Sequence, residues 1–285
     1  MLATATERML LGLVAALAAA VVFGASSILQ AVGSRRLSSA SGFSVRTVGR
    51  LLRQPAFVLA VLLNLVGFVL HLAAVRALPL FLAQAGIAAS LAVTALLAVR
   101  FFHDRLTVTE WGAVAAVCVG LALLTAAAGA TGEDRATGAM SVALFAVAAV
   151  MVAGGLAATR AHGVVAAAGL SLLAGLGFAN TALAARLLPE LTVPSMLGSP
   201  VAYALPLSGA LAFLLYSLAL QRSSVTVATA PMIVLQTALP AIAGVLLLGD
   251  EVRSGWLVGA LAGFILTAGG GVALLRFEGV REIDP

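Results

Sequence analysis

The chain has 285 residues, of which 62% are apolar and 9% charged, with a mean hydropathy of +1.14. Soluble domains are about half apolar and about a quarter charged, so this composition is that of a membrane protein. The formal charge of +5 rests on arginines alone, since the sequence has no Lys, and these stand singly or in small groups between apolar runs, which leaves no continuous basic face for nucleic acid.

A bilayer-crossing helix needs about 20 mostly apolar residues. Nine such runs are predicted in chain order: 9–32, 55–76, 80–101, 108–127, 138–159, 163–187, 200–221, 225–248 and 254–275. The first begins after Arg8, and its apolar stretch from Met9 to Leu29 exceeds the roughly 7–15 residues of a signal-peptide core, so a retained span is expected. An Arg-rich connection, 33–54, follows it. Its simplest reading is a topology determinant in contact with anionic lipid head groups.

Alternate sides of such a chain collect unequal numbers of arginines. Arg8, Arg76, Arg135, Arg186 and Arg253 fall on one side, and the other eleven of the 16, including Arg35, Arg36, Arg46, Arg50 and Arg53, fall opposite. Positive residues resist translocation, which predicts the N-terminus outside and the C-terminus in the cytoplasm. The Arg-only basic set and the abundance of Ala also fit a GC-rich bacterial genome, and hence a plasma membrane.

Residues 71–111 lie over 216–256 without a gap at an offset of 145, which brings Trp111 onto Trp256. In both copies a span ends, turns tightly, runs a second span, passes a charged loop (HDR; GDEVR) and starts a third with Trp in its first turn. FGASSILQAVGSRR in the first span has a looser counterpart in LGFANTALAARLL in the sixth. The chain divides accordingly into a first four-span unit (1–137), a central span (138–159) and a second four-span unit (160–285). An odd number of crossings separates the two units, so they are expected to be inverted repeats, the arrangement that supports alternating access to a site near the midplane.

The order FGASSILQAVG, an Arg-rich loop, a span ending HLAAVRALP and a span closing on FFHDRLTVTEWGAVAAVCVGLALL resembles the drug/metabolite transporter superfamily, and more closely the branch of NIPA-type magnesium transporters and their EamA-like bacterial relatives. That resemblance implies an all-α polytopic fold and a transport function. NIPA-type proteins usually carry a Glu in the span that reads LLNLVGFVLHLAAVRAL here, and the corresponding position is Phe68. Magnesium is therefore the second reading.

All eleven acidic residues lie in tails, connections or span ends. A carried cation or proton normally needs a charged or titratable partner within the membrane, so central-carboxylate proton antiport has no residue to run on. What the spans hold is neutral and polar. Ser26 and Gln30 are four residues apart and Asn64 and His71 seven apart, so each pair shares a helix face. Gln84, Asn180, Tyr216 and Gln236 add amides and a phenol to this candidate substrate lining.

His71 is the one titratable group at depth. Pro231 and Pro240 flank Gln236, and each removes a backbone donor, so the eighth span is expected to bend or break; Pro231 aligns with Gly86 in the other copy. Gly255, Gly259, Gly263 and Gly271 form a small-residue stripe, suited to helix packing within the chain or to a homodimer.

The three His neither pair with each other nor approach a carboxylate at metal-ligand spacing. No enzyme, metal site or cofactor is expected. The expected function is movement of a small polar or amphipathic organic solute across the membrane by alternating access. The reading from another class is a non-transporting membrane scaffold or accessory subunit.

Overall fold

A computed structural model of the chain describes residues 5–35, 55–102, 107–132, 135–160, 163–220 and 225–281. Gln30 keeps its place in a helix, but its side chain lies outside the described residues, as do most of the Arg-rich loop and the HDR turn.

Helices account for nearly all of what is described. They are α1 (Ala5–Arg35), α2 (Pro55–Ala77), α3 (Leu80–Phe102), α4 (Val108–Ala127), α5 (Gly138–Arg160), α6 (Gly163–Arg186), the short α7 (Val193–Gly198), α8 (Pro200–Leu220), α9 (Val225–Leu247) and α10 (Leu257–Arg281). Every predicted apolar run carries one long helix, with ends that differ by a few residues. Five stretches, Thr6–Ser26, Val108–Ala127, Gly138–Ala158, Ala166–Arg186 and Leu257–Leu274, are long and apolar enough to cross a membrane. Four shorter apolar stretches occupy Leu62–Ala77, Leu80–Val93, Pro200–Tyr216 and Pro231–Leu247.

Burial is distributed as lipid solvation requires. More than half of the buried apolar residues are Ala, among them Ala74, Ala83, Ala167, Ala204 and Ala212, whereas Leu11, Phe213, Leu246, Val258 and Ile265 stand exposed. In water this pattern would leave much of the apolar surface unpaid, because the large side chains are what burial rewards. In hydrocarbon the large side chains lose nothing by facing out, and small residues let helix backbones approach. This is an all-helical membrane protein.

The packing order is specific. α1 runs along α2 and α3, and α3 also touches α4. Further along the chain, α6 runs along α8 and α9, and α9 touches α10. The two groups meet where α3 packs on α9 and α4 on α10, while α5 lies against α6 and α8. The α4–α10 contact is made almost backbone to backbone. A Cβ on Gly120 would lie 2.6 Å from Gly263 O and 2.7 Å from Thr267 N, and one on Gly270 would lie 2.8 Å from Ala113 O.

The glycine stripe is thus used within the chain at two of its positions. Gly263 meets Gly120, Leu123 and Leu124 of α4, and Gly271 meets Leu91 and Ala88 of α3. Gly259 lies beside its own Trp256, and Gly255 takes a left-handed turn (φ 78°) ahead of α10.

Thr107 and Glu110 form a reciprocal capping box at α4, with Thr107 N donating to Glu110 Oε2 at 2.6 Å and Glu110 N to Thr107 Oγ1 at 3.3 Å, so two of the orphan donors of the first turn find partners.

Of the bend or break expected at Pro231 and Pro240, the break is absent: α9 is one continuous helix through both, and α8 likewise continues through Pro206. A proline removes a single ladder donor, and the other hydrogen bonds of each turn keep the helix whole. In α9, Thr237 Oγ1 also donates to Ile233 O at 2.7 Å and to Val234 O at 3.1 Å.

Candidate functional site

The neutral polar residues of the spans form two separate hydrogen-bonded groups. Between α1 and α2, Asn64 Nδ2 donates to Ser26 Oγ at 2.7 Å, and Ser26 is fully buried. Between α6, α5 and α8, Asn180 Nδ2 donates to Leu144 O at 2.9 Å and to Ser208 Oγ at 2.8 Å, with Asn180 and Ser208 both buried. These contacts satisfy amides that hydrocarbon would leave without partners at a cost of several kcal/mol.

Gln84 differs from both. It is 2% exposed on α3, and its Nε2 has no hydrogen-bond partner among the described residues. His71 lies two turns beyond Asn64 on α2, half-buried. Tyr216 packs against the cluster of Met151, Leu170, Leu215 and Met232. Pro231 and Gln236 are half-buried on α9. The predicted lining residues are thus distributed over the bundle. A shallow groove of about 690 Å³ on the outside of α5, lined by Gly138, Ser141, Val142, Phe145, Ala146, Ala149 and Pro200, contains none of them and is almost wholly apolar.

Among the described residues, the most polar construction stands at one end of the bundle, among residues the sequence presents only as span-end charges. Arg186, in the last turn of α6, is 1% exposed, and its Nη2 lies 3.3 Å from Asp250 Oδ1. The guanidinium also donates from Nη1 to Val75 O at 2.7 Å and to Leu78 O at 3.2 Å, and from Nη2 to Gly132 O at 3.2 Å. Asp250 accepts from Leu80 N at 2.6 Å on Oδ2 and from Gly132 N at 2.8 Å on Oδ1.

The local reasons are electrostatic. The α2–α3 turn leaves carbonyls at the end of α2 and N–H groups at the start of α3 without helical partners. Arg186 supplies a cation to the carbonyls, and Asp250 supplies an anion to the N–H groups, each matching the sign of the helix terminus it meets. Asp250 is brought there by Gly249, whose φ of 75° turns the chain out of α9 so that Asp250 N donates to Gly244 O at 2.8 Å. Left-handed backbone of this kind is what glycine supplies at a helix end. Gly244 in turn leaves room for the carboxylate: a Cβ there would touch Asp250 Oδ2 and lie 2.9 Å from Leu80 Cβ.

Neighbouring backbone completes the assembly. Gly129 N donates to Glu251 O at 3.0 Å, Glu251 N to Ala130 O at 2.9 Å and Arg253 N to Ala127 O at 2.9 Å, an antiparallel pairing centred on Ala128 and Val252. Gly132 sits so close beneath α9 that a Cβ would run into Leu248 O. Arg76, in the last turn of α2, donates from Nη1 to Leu188 O and Pro189 O, both at 3.1 Å, so α2 and α6 each lend an arginine to carbonyls at the end of the other.

What the sequence offered as a signal is slight. Arg186 is embedded in the apolar run TALAARLLP, and Asp250 directly follows GVLLLG; both are charges abutting apolar sequence with no spacer. No family model, curated protein or solved structure matches the chain.

Proposed function

We propose that the chain is a membrane transporter of the drug/metabolite type, moving a small polar or amphipathic organic solute by alternating access between two inverted four-helix halves. In this reading all nine long helices cross the bilayer, with the N-terminus outside and the C-terminus in the cytoplasm of a cell whose plasma membrane holds the protein. The halves are α1–α4 and α6 with α8–α10, and α5 is the central span.

The observation that carries the reading is a packing order that recurs together with one polar contact. α1 lies along α2 and α3 as α6 lies along α8 and α9, and α3 touches α4 as α9 touches α10. With FGASSIL written over GFANTAL, Ser26 stands over Asn180. Ser26 is bonded to Asn64 on the second helix of its half, and Asn180 to Ser208 on the second helix of its own. The offset of 145 brings Asn64 within one position of Ser208, so amide and hydroxyl have changed places across the same contact. The contacts of α3 with α9 and of α4 with α10 support the reading, since like meets like across a two-fold axis in the membrane plane.

The chemistry of the solute follows from that of the interior. Amides and hydroxyls offer hydrogen bonds to a neutral or amphipathic molecule, whereas a bare cation at mid-membrane calls for charged or titratable partners. Gln84 contributes a buried amide on α3, the helix that packs on α9 of the other half.

Flux measured in proteoliposomes with a panel of solutes, magnesium included, tests this. The expected result is transport of an uncharged polar or amphipathic solute, reduced at least about tenfold by Gln84→Leu, since a site built to hydrogen-bond its ligand loses strongly when one partner is removed. Absence of flux for every solute, together with a co-purifying partner, favours the scaffold instead. Labelling that finds both chain ends on the same face of the membrane removes the inversion and the reading with it.

A further inference from the structure

We propose that the Arg186–Asp250 cluster is the gate of the outer end, latched shut in this structure, and that the α2–α3 turn swings off it when that end opens. The proposal rests on the transport reading and names the residues that would carry one of its steps.

Three observations converge on it. The first is which parts of the chain the bonds join. The side chains of Arg186 and Asp250 come from the second half, and their partners at the turn, Val75 O, Leu78 O and Leu80 N, are backbone groups of the first. Arg76 returns the contact from the first half to Leu188 O and Pro189 O of the second. A seal between two moving bodies has to be made of contacts of this crossing kind.

The second is how the links break. Those between the turn and the cluster run through two charged heads and involve no backbone ladder. Water entering at a helix end solvates a freed guanidinium, carboxylate, carbonyl or N–H alike, so parting the turn from the cluster costs far less than stripping either ion of all its partners. Arg186 and Asp250 keep each other and Gly132 throughout, because Gly132 N and O are bonded to the pair itself and the 127–130 segment is tied by backbone to 251–253.

The third is what the closed end covers. Gln84 lies one helical turn beyond Leu80 on α3, and its buried Nε2 goes without a partner. A polar group left unsatisfied in one conformation favours any other that hydrates it. Opening at the α2–α3 turn brings water, or a solute, to that amide first.

The test places one thiol beneath the gate. In a Cys118→Ser background, Gln84→Cys protein is reconstituted in vesicles and exposed, from each side in turn, to a membrane-impermeant cationic methanethiosulfonate. With the native pair, slow labelling is expected. Asp250→Asn should accelerate it on the order of tenfold or more, the value of charge-assisted bonds lost from the closed state alone. Arg186→Lys, which keeps the charge but loses the planar fork that serves several carbonyls, should give a smaller acceleration.

Unchanged labelling in a folded, monodisperse Asp250→Asn protein overturns the proposal. Should that variant fail to fold, the native pair and Arg186→Lys decide: equal and undetectable labelling in both overturns it as well. Solute flux is read in parallel vesicles that carry the same Arg186 and Asp250 variants with Gln84 intact. Flux with no change in labelling removes the gate and leaves the transporter, whereas faster labelling without flux of any solute removes the transporter and therefore the gate.

Discussion

At the Arg186 end of the bundle, polar backbone is unavoidable, because α2 stops and α3 starts within a few residues; in the middle of the bundle, apart from the carbonyls that Pro206, Pro231 and Pro240 leave without a donor, the backbone groups are held by their own helices. The first region uses full charges, buried and shared among five backbone groups. The second uses only neutral amides and hydroxyls, Asn64 with Ser26 and Asn180 with Ser208. The difference teaches that charge is spent where helix termini give it something to neutralise, and withheld where a single side-chain contact is enough.

The sharpest way to break this contrast is to remove one charge. Arg186→Ala or Asp250→Ala leaves the other ion buried and should cost about 3–5 kcal/mol, seen as loss of the folded fraction or a large fall in Tm in detergent. An isolated buried pair is often replaced by apolar residues without loss. Here the double variant Arg186→Met/Asp250→Leu should still lose stability, because Leu80 N, Gly132 N and the α2 carbonyls are then stranded, at about 1–3 kcal/mol for each group that stays buried. Full recovery in the double variant would show that the ions serve only each other.

Gly132→Ala tests the same end by shape instead of charge. The added methyl meets Leu248 O and should cost about 1–3 kcal/mol as overpacking does, read from thermal unfolding.

The interior should respond more mildly. Asn180→Leu loses two hydrogen bonds in a fully buried setting and should fall near about 1 kcal/mol. Asn64→Leu loses one in a half-buried setting and should fall near about 0.6 kcal/mol, the usual size of such contacts between membrane helices. An interior value that exceeded the Arg186 effect would reverse the comparison.

The helices were legible because a membrane span must be apolar around its whole circumference, a pattern that depends on composition and needs no partner. The Arg186–Asp250 pair was not legible, because its members are 64 residues apart and because an arginine at a span end ordinarily marks membrane topology. Nothing in the residue types separates Arg186 from Arg253; the separation comes from which carbonyls the turn at Leu78 presents. The polar residues Ser26, Asn64 and Asn180 were legible as candidates, but not their division into two hydrogen-bonded groups, which depends on helix neighbours. Of the bend or break expected in the eighth span, the break gave a proline more authority than it has over a ladder of many bonds.

The glycines at which α4 and α10 touch carry a mechanical consequence. With Gly120 against Gly263 O and Gly270 against Ala113 O, the two backbones lie so close that neither helix can slide along the other without first being parted. In the proposed transport cycle that seam would act as the fulcrum, with displacement growing with distance from it.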